Sequence, residues 1–275
     1  MARMGICFLA TYGFTGFLSS QTLSQTKLIR LEVVRTAQMS GLLDDLLPHF
    51  EEISGYRVQA HSSTADLYER ARRGEADLVI SHYGFDEVER FVQEGFGLWP
   101  RMLFANQSVI LGPPSDPAQI RGLSDAVEAF RRIAKARAPF IANDLAVLTY
   151  LVDILWEGAG RPDLDGWFFD LGLSDQDAVV AASQNGAYTV WGVDPFVRFV
   201  ATHPIEEEML CIGDSMLQRM MVSVVVNPDR VKGVNVEGAR ALEQYLLAPA
   251  TQARIRAFRY SGYDAAFWWP AGVQN

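Results

Sequence analysis

The sequence predicts an α/β protein built as two doubly wound lobes joined by two crossing strands. Three observations predict it. Residues 31–80 read as strand, helix, strand, helix, strand with short turns, the opening of a parallel sheet. A second α/β round runs from about residue 124 to 199. Long extended runs, Met102–Gly112 and Met220–Val226, separate the rounds and lead back to the chain's end. The division this implies is a leader at 1–28, lobe one at 29–105 and 220–275, and lobe two at 106–219. One continuous α/β sheet is the competing arrangement.

In chain order, Leu31–Thr36 reads as a strand and Ala37–Ser40 as a polar loop. Gly41–Ser54 places Leu42, Leu43, Leu46, Leu47, Phe50 and Ile53 at helical spacing and stops at Gly55. Pro48 inside that pattern predicts a kink or a helix in two pieces. Tyr56–His61 is a second strand. The stretch His61–Glu87 then supplies a helix with Leu67 and Ala71 inward, a stop at Gly74, and the buried strand Ala76–Ile80. That strand ends in Ser81, His82 and Tyr83, polar groups at a carboxyl end where open α/β sheets bind ligands. Asp86–Glu94 is a further helix.

The second round offers helix Ser124–Ala136, strand Pro139–Asp144 and helix Leu145–Glu157, the last apolar nearly all round and so expected to be deeply buried. Strand Trp167–Leu171, helix Ser174–Gln184, strand Ala187–Gly192 and a helix opened by Asp194-Pro195 follow. Val236–Leu247 and Pro249–Phe258 are helices that return to lobe one, ahead of an aromatic tail with Trp268-Trp269-Pro270. Two lobes joined by two crossings close like a hinge around a ligand.

The totals narrow the function. An apolar content of 49% with 21% charged residues describes a folded globular chain of 275 residues. A formal charge of −9 disfavours nucleic acid and anionic membrane surfaces as partners. The apolar run Ile6–Leu18 after Arg3 resembles a secretory signal and is too short for a membrane span. The predicted location is therefore periplasmic, by export. Cys7 lies inside that run and Cys211 far from it, which gives no disulfide framework.

No nucleophile elbow, His-Glu-x-x-His, Walker loop or Cys-x-x-Cys is present, so an enzyme is not predicted, and no cofactor is. His61 and His82 fall at the ends of two strands, with Asp144 at a comparable end in the second round, a candidate cation set. Thr36, Ser40, Ser62, Ser63 and Thr64 stand at strand-to-helix turns, where amides and helix dipoles favour oxyanions, and Arg35 adds charge. The same hydroxyls would serve equally as plain helix caps.

Several runs then resemble one family. Ser40-Gly41-Leu42-Leu43-Asp44, Leu46-Leu47-Pro48 with Phe50, Arg72-Arg73-Gly74-Glu75-Ala76-Asp77, and Val109–Gly112 followed by Ser115-Asp116-Pro117 are similar to the tungstate-binding proteins of ABC uptake systems. Ala126–Phe130, Ala138–Phe140, Gly186–Thr189, Val226–Pro228 and Val236–Ala239 continue the likeness in the same order, over about residues 31–259. The resemblance implies a type II periplasmic-binding-protein fold and an extracytoplasmic solute-binding protein. Its partners would be an oxyanion-type solute and a permease in the inner membrane.

The ligand loops depart from the family's pattern. Only Thr36 and Ser40 keep hydroxyls in the first loop, and Ser63-Thr64-Ala65 matches the second loosely. Where the family has Arg-Gly-Asp-Asp-Ser-Gly-Thr-His, this chain has Ala142-Asn143-Asp144-Leu145-Ala146-Val147-Leu148-Thr149. A buried oxyanion needs converging donors and positive charge. That loop supplies few, Asp144 repels an anion, and Arg35 or Arg219 would have to provide the charge. The expected site is Arg35, Thr36, Ser63 and Thr64 from lobe one with Asn143, Asp144, Tyr188 and Trp191 from lobe two. Trp191 suits an organic ligand better than a bare oxyanion. The alternatives are a cation held by His61, His82 and Asp144, a small organic ligand, or a ligand-free sensory or protein-interaction module on the same fold.

Overall fold

The computed structural model describes residues 27–63, 66–84, 86–260, 262–264 and 266–271. The apolar leader run with Cys7, and Thr64 of the expected site, lie outside them.

Strand β1 (Leu28–Val34) leads straight into a short helix α1 (Arg35–Met39), where a strand end and a loop were expected. Helix α2 (Leu42–Ser54) follows, its Gly41 cap in the left-handed region at φ 82°, a conformation glycine reaches without a Cβ clash. Pro48 sits inside this helix, which runs through it in one piece. Burial of Leu46 and Phe50 on either side is worth about 1.5–3 kcal/mol each and outweighs the roughly 3 kcal/mol proline penalty. Strand β2 (Arg57–Ser63), helix α3 (Leu67–Arg72), strand β3 (Leu78–His82) and helix α4 (Asp86–Gln93) complete the first round.

Strand β4 (Arg101–Gly112) is the long crossing strand. The second round contains α5 (Ala126–Ala136), β5 (Phe140–Ile141), α6 (Ala146–Gly158), β6 (Phe168–Phe169), α7 (Asp175–Asn185), β7 (Thr189–Gly192) and α8 (Val193–Val200). The chain then forms β8 (Glu208–Cys211), the second crossing strand β9 (Gln218–Val225), helices α9 (Val236–Leu247) and α10 (Pro249–Ala257), and β10 (Trp269–Pro270). Helix α6 was expected to be buried all round. It buries one face through Leu148, Leu151, Val152 and Leu155 and leaves Tyr150 67% exposed.

The main sheet runs β10-β4-β9-β3-β1-β2. β2 and β3 both lie parallel to β1, while β9 is antiparallel to β3 and to β4. The strand order reverses at β1, so a crevice opens off the carboxyl ends of β1 and β3. β4 serves two sheets. Its first half pairs with β9 and β10, and Ser108–Gly112 pairs with β7 and β8. β5 pairs with β6 and bridges to Tyr188 ahead of β7. This is the two-lobed arrangement with two crossing strands. Gly112 closes β4 because a Cβ there would stand 2.5 Å from the Tyr188 ring.

One large buried cluster runs through both halves of the chain, and a smaller one around Val79, Phe91 and Val224 lies beside it. Ile29, Leu31 and Val33 of β1 pack with the buried faces of α2 and α9. On the other face of β1, buried Glu32 accepts hydrogen bonds from Arg70 Nε at 2.7 Å and pairs with His61 Nδ1 at 2.8 Å. Buried Asp77 accepts from Arg30 N and Nε and from Asn235 N, which fastens β1 to the start of α9. In lobe two, Phe130 meets Phe140 and Trp167 edge-on.

Glu207 is buried with its Oε2 unpartnered among the described residues. Burial, and secondarily the charge of Glu208, pushes its carboxyl up to about 8 from an ordinary 4.5. The folded state then holds a proton that the unfolded chain releases, so stability is greatest below pH 4.5 and falls as pH rises towards about 8. Glu207→Gln is expected to flatten that slope and to raise stability at pH 8 more than at pH 5, as read by urea denaturation at both.

Candidate functional site

A cleft of about 680 Å³ opens where the sheet geometry places it. Arg35 and Thr36 reach it because α1 starts directly at the end of β1. His82 reaches it as the last residue of β3, and Asn106, Gln107 and Ser108 as the middle of β4. Arg219 enters from β9. It is the register partner of Asn106, and Met221, two residues on, is the partner of His82, so these side chains share one sheet face. Trp191, Gly192, Pro195, Arg198 and Phe199 come from the β7–α8 junction, and Leu145, Val147 and Leu148 from the start of α6.

The floor is polar and undersupplied with partners. Gln107 is 1% exposed, and neither its Oε1 nor its Nε2 has a hydrogen-bond partner among the described residues. Asn106 is 5% exposed with its Oδ1 likewise unpartnered. Buried polar atoms are normally satisfied, and an unmade bond costs about 1–3 kcal/mol. Burial lowers the Arg219 guanidinium to about 10. Burial, and then the charge of Arg219, lowers His82 to about 3, so it is neutral near pH 7.

Arg198 is anchored rather than loose. Its Nε and Nη2 donate to Asp194 Oδ2 at 3.2 and 3.0 Å, and its Nη1 approaches Met39 Sδ of α1 at 3.9 Å. Asp194 Oδ1 accepts from the Tyr260 hydroxyl, which accepts from Trp268 Nε1 at 2.9 Å. The C-terminal tail therefore braces a cation of the cleft wall. Three arginines line the cleft, Arg35, Arg198 and Arg219, and Asp175 is the carboxylate among its lining residues. The arrangement suits an anion.

The expected site residues distribute as follows. Arg35, Thr36 and Trp191 line the cleft together. Ser63 ends β2 and does not line the cleft; its buried Oγ has no hydrogen-bond partner among the described residues. Asn143 acts one step removed: its Oδ1 accepts from Asp175 N at 2.8 Å and its Nδ2 donates to Asp175 O at 3.1 Å. Asp175 in turn accepts from Trp191 Nε1 at 2.8 Å. Asp144 is exposed and does not line the cleft; its amide donates to Leu173 O. Tyr188 is buried in the core, donating to Asp116 Oδ1 at 2.8 Å and accepting from Ala118 N, so it holds the Asp116–Arg121 loop instead of walling the cleft.

The cation alternative is not assembled. The described residues hold no group of three His, Cys, Asp or Glu placed for a metal ion. His61 lies level with Val79 through Glu32, three residues short of His82 and so on the opposite sheet face. Of the cleft residues, Asn106, Gln107, Ser108 and Arg198 were missed. Three successive polar residues inside the apolar run Met102–Gly112 were the signal that could have found the first three.

Among the described residues no helix is long and apolar enough to cross a membrane. Residues 31–151 match the family model of bacterial extracellular solute-binding proteins. A protein of Haloferax volcanii named for ABC transporter anion binding is 32% identical over 247 residues, which is 88% of this chain and 72% of that one. The tungstate-binding protein of Peptoclostridium acidaminophilum is 26% identical over 246 residues, 88% of this chain and 85% of its own. The fold matches that of the tungstate-binding protein of Desulfovibrio alaskensis G20 with a TM-score of 0.79, at 24% identity, covering 89% of this chain and 99% of that chain. The chain belongs to the extracellular solute-binding proteins of ABC transporters, in the family of the tungstate-binding proteins, and it is a binding component rather than an enzyme.

Proposed function

We propose that this chain captures a small anion in the cleft between its lobes outside the cytoplasm and delivers it to the permease of an ABC uptake system. Buried Gln107, with both carboxamide atoms unpartnered in an arginine-rich cleft, carries the reading. An arriving anion accepts from the amide and offsets the desolvated guanidinium of Arg219. The names of the relatives make tungstate and molybdate the first inorganic probes. The lobes divide at residues 105/106 and 219/220, which sets the Asn106–Arg219 pair on the hinge itself.

Thermal unfolding with sodium tungstate, sodium molybdate, sodium sulfate and small carboxylates tests the reading. A true ligand at a hundred times its Kd adds about 2.7 kcal/mol. At about 2–4 °C per kcal/mol for a chain of this size, the melting point rises by roughly 5–10 °C. No shift with any anion would sink anion capture and favour a ligand-free role. Gln107→Leu is expected to weaken binding of the shifting anion at least tenfold while the unliganded melting point holds or rises. The substitution removes two unpartnered buried atoms at nearly constant volume. Calorimetric titration checks the first effect and thermal unfolding the second.

A further inference from the structure

The cleft's buried polar groups lie on one side, and opposite elements add an apolar patch beside Arg198 and Asp175. The cleft's polar side chains that are nine-tenths buried or more, Asn106, Gln107 and Ser108, all come from β4. The facing wall at the start of α6 is Leu145, Val147 and Leu148. A helix N-terminus ordinarily offers an anion a capping hydroxyl or carboxamide beside its free amides. Here the capping residue is Leu145, with no side-chain hydrogen bond, and the one hydroxyl of the first turn, Thr149, donates back to the Leu145 carbonyl. Phe199 extends the apolar wall.

This asymmetry bears on the ligand. A tetrahedral oxyanion carries charge on every side, so enclosing it against Leu145 and Val147 leaves part of its hydration shell unreplaced. An anion with a hydrocarbon body has no such conflict. Its head satisfies the β4 floor and its body removes the leucine and valine side chains from water. The volume of about 680 Å³ also lies in the range of sites for organic ligands and far exceeds one four-oxygen ion.

We infer that the cleft takes an organic anion, with a single compact acidic head on Asn106, Gln107 and Arg219 and a phenyl-sized apolar body against Leu145, Val147 and Leu148. The inference rests on the anion reading above and specifies the half of the ligand that reading leaves open.

Calorimetric titration of the full chain with sodium tungstate, acetate, benzoate and benzenesulfonate tests it. A phenyl-bearing anion is expected to bind roughly tenfold to a hundredfold tighter than acetate and tighter than tungstate. Leu145→Asn, which places a favoured capping residue at that helix start, is expected to bring the benzoate-to-acetate affinity ratio close to one. Val147→Ser is a second, independent substitution on the same wall with the same expectation. Tungstate binding tighter than every organic probe, or an unchanged ratio in both variants, would overturn the organic-anion inference while leaving anion capture standing. Silence with every anion, tungstate included, would overturn both.

Discussion

Arg219→Ala is expected to lower anion affinity by about a hundredfold or more. Arg219 stands on the crossing strand β9 as the register partner of Asn106, one residue from Gln107. A hydrogen bond to a charged partner is worth about 1.5–3 kcal/mol, and removing one member of a buried charged contact costs about 2–5 kcal/mol. A hundredfold is about 2.7 kcal/mol, within both ranges. Burial takes the Arg219 guanidinium down to about 10, so its charge is largely withdrawn from water before an anion arrives. Titration calorimetry reads the loss of affinity, and thermal unfolding checks that the variant is folded. An Arg219→Ala protein that binds tungstate and every organic anion as tightly as the parent would place the anion elsewhere. Arg219→Lys is expected to recover only part of the affinity, since an ammonium lacks the planar fork.

The largest loss of stability is expected from Trp268→Ala, at about 3–5 kcal/mol, or roughly 6–20 °C in melting point. Trp268 is fully buried and packs edge-on against Phe104 at 5.4 Å. Its neighbour Trp269 pairs with Ala105 of β4, and its own indole N–H begins the chain of hydrogen bonds through Tyr260 to Asp194 and Arg198. The truncation therefore leaves a cavity and loosens the brace on a cleft arginine together. Trp99→Ala is the internal control. That ring is 82% exposed, and its loss is expected to stay within about 0.5 kcal/mol. Urea denaturation of both variants reads the difference, and equal effects would refute the assignment of the tail as a structural strap.

Much of the fold is legible in residue order because each long element carries its own signal. Helix α9 begins and ends where Asn235, Val236 and Leu247 say it should, with Asn235 capping it through Gly238 N at 2.9 Å. The elements that escaped are short and owe their form to neighbours. β8 is four residues behind an acidic run, and it is a strand because β4 offers it an edge. α1 is five residues with no side-chain hydrogen bond at its N-cap, wound directly onto the end of β1. The site divides the same way. Arg35 and Trp191, read as candidates because they stand near strand ends, do line the cleft. Asn106 and Gln107 escaped because mid-strand positions read as core, and only the three-dimensional placement of β4 beside α6 and α8 shows them lining a cleft. Tyr188 was misplaced for the complementary reason: an aromatic at a strand start looks like a pocket wall until Asp116 is seen to bind its hydroxyl.

The sharing of β4 between two sheets has a kinetic consequence. If the lobes hinge about these crossing strands as proposed, a half-site on the directly paired β4 and β9 stays intact throughout, and first contact with an anion would require no rearrangement. Capture should therefore proceed near the rate of electrostatically aided encounter and slow as salt screens the arginines. Departure is different, because it waits for the far wall to swing away from the pivot. Dwell time and arrival time are then set by separate parts of the molecule. A permease that pries the lobes apart shortens the first and leaves the second untouched.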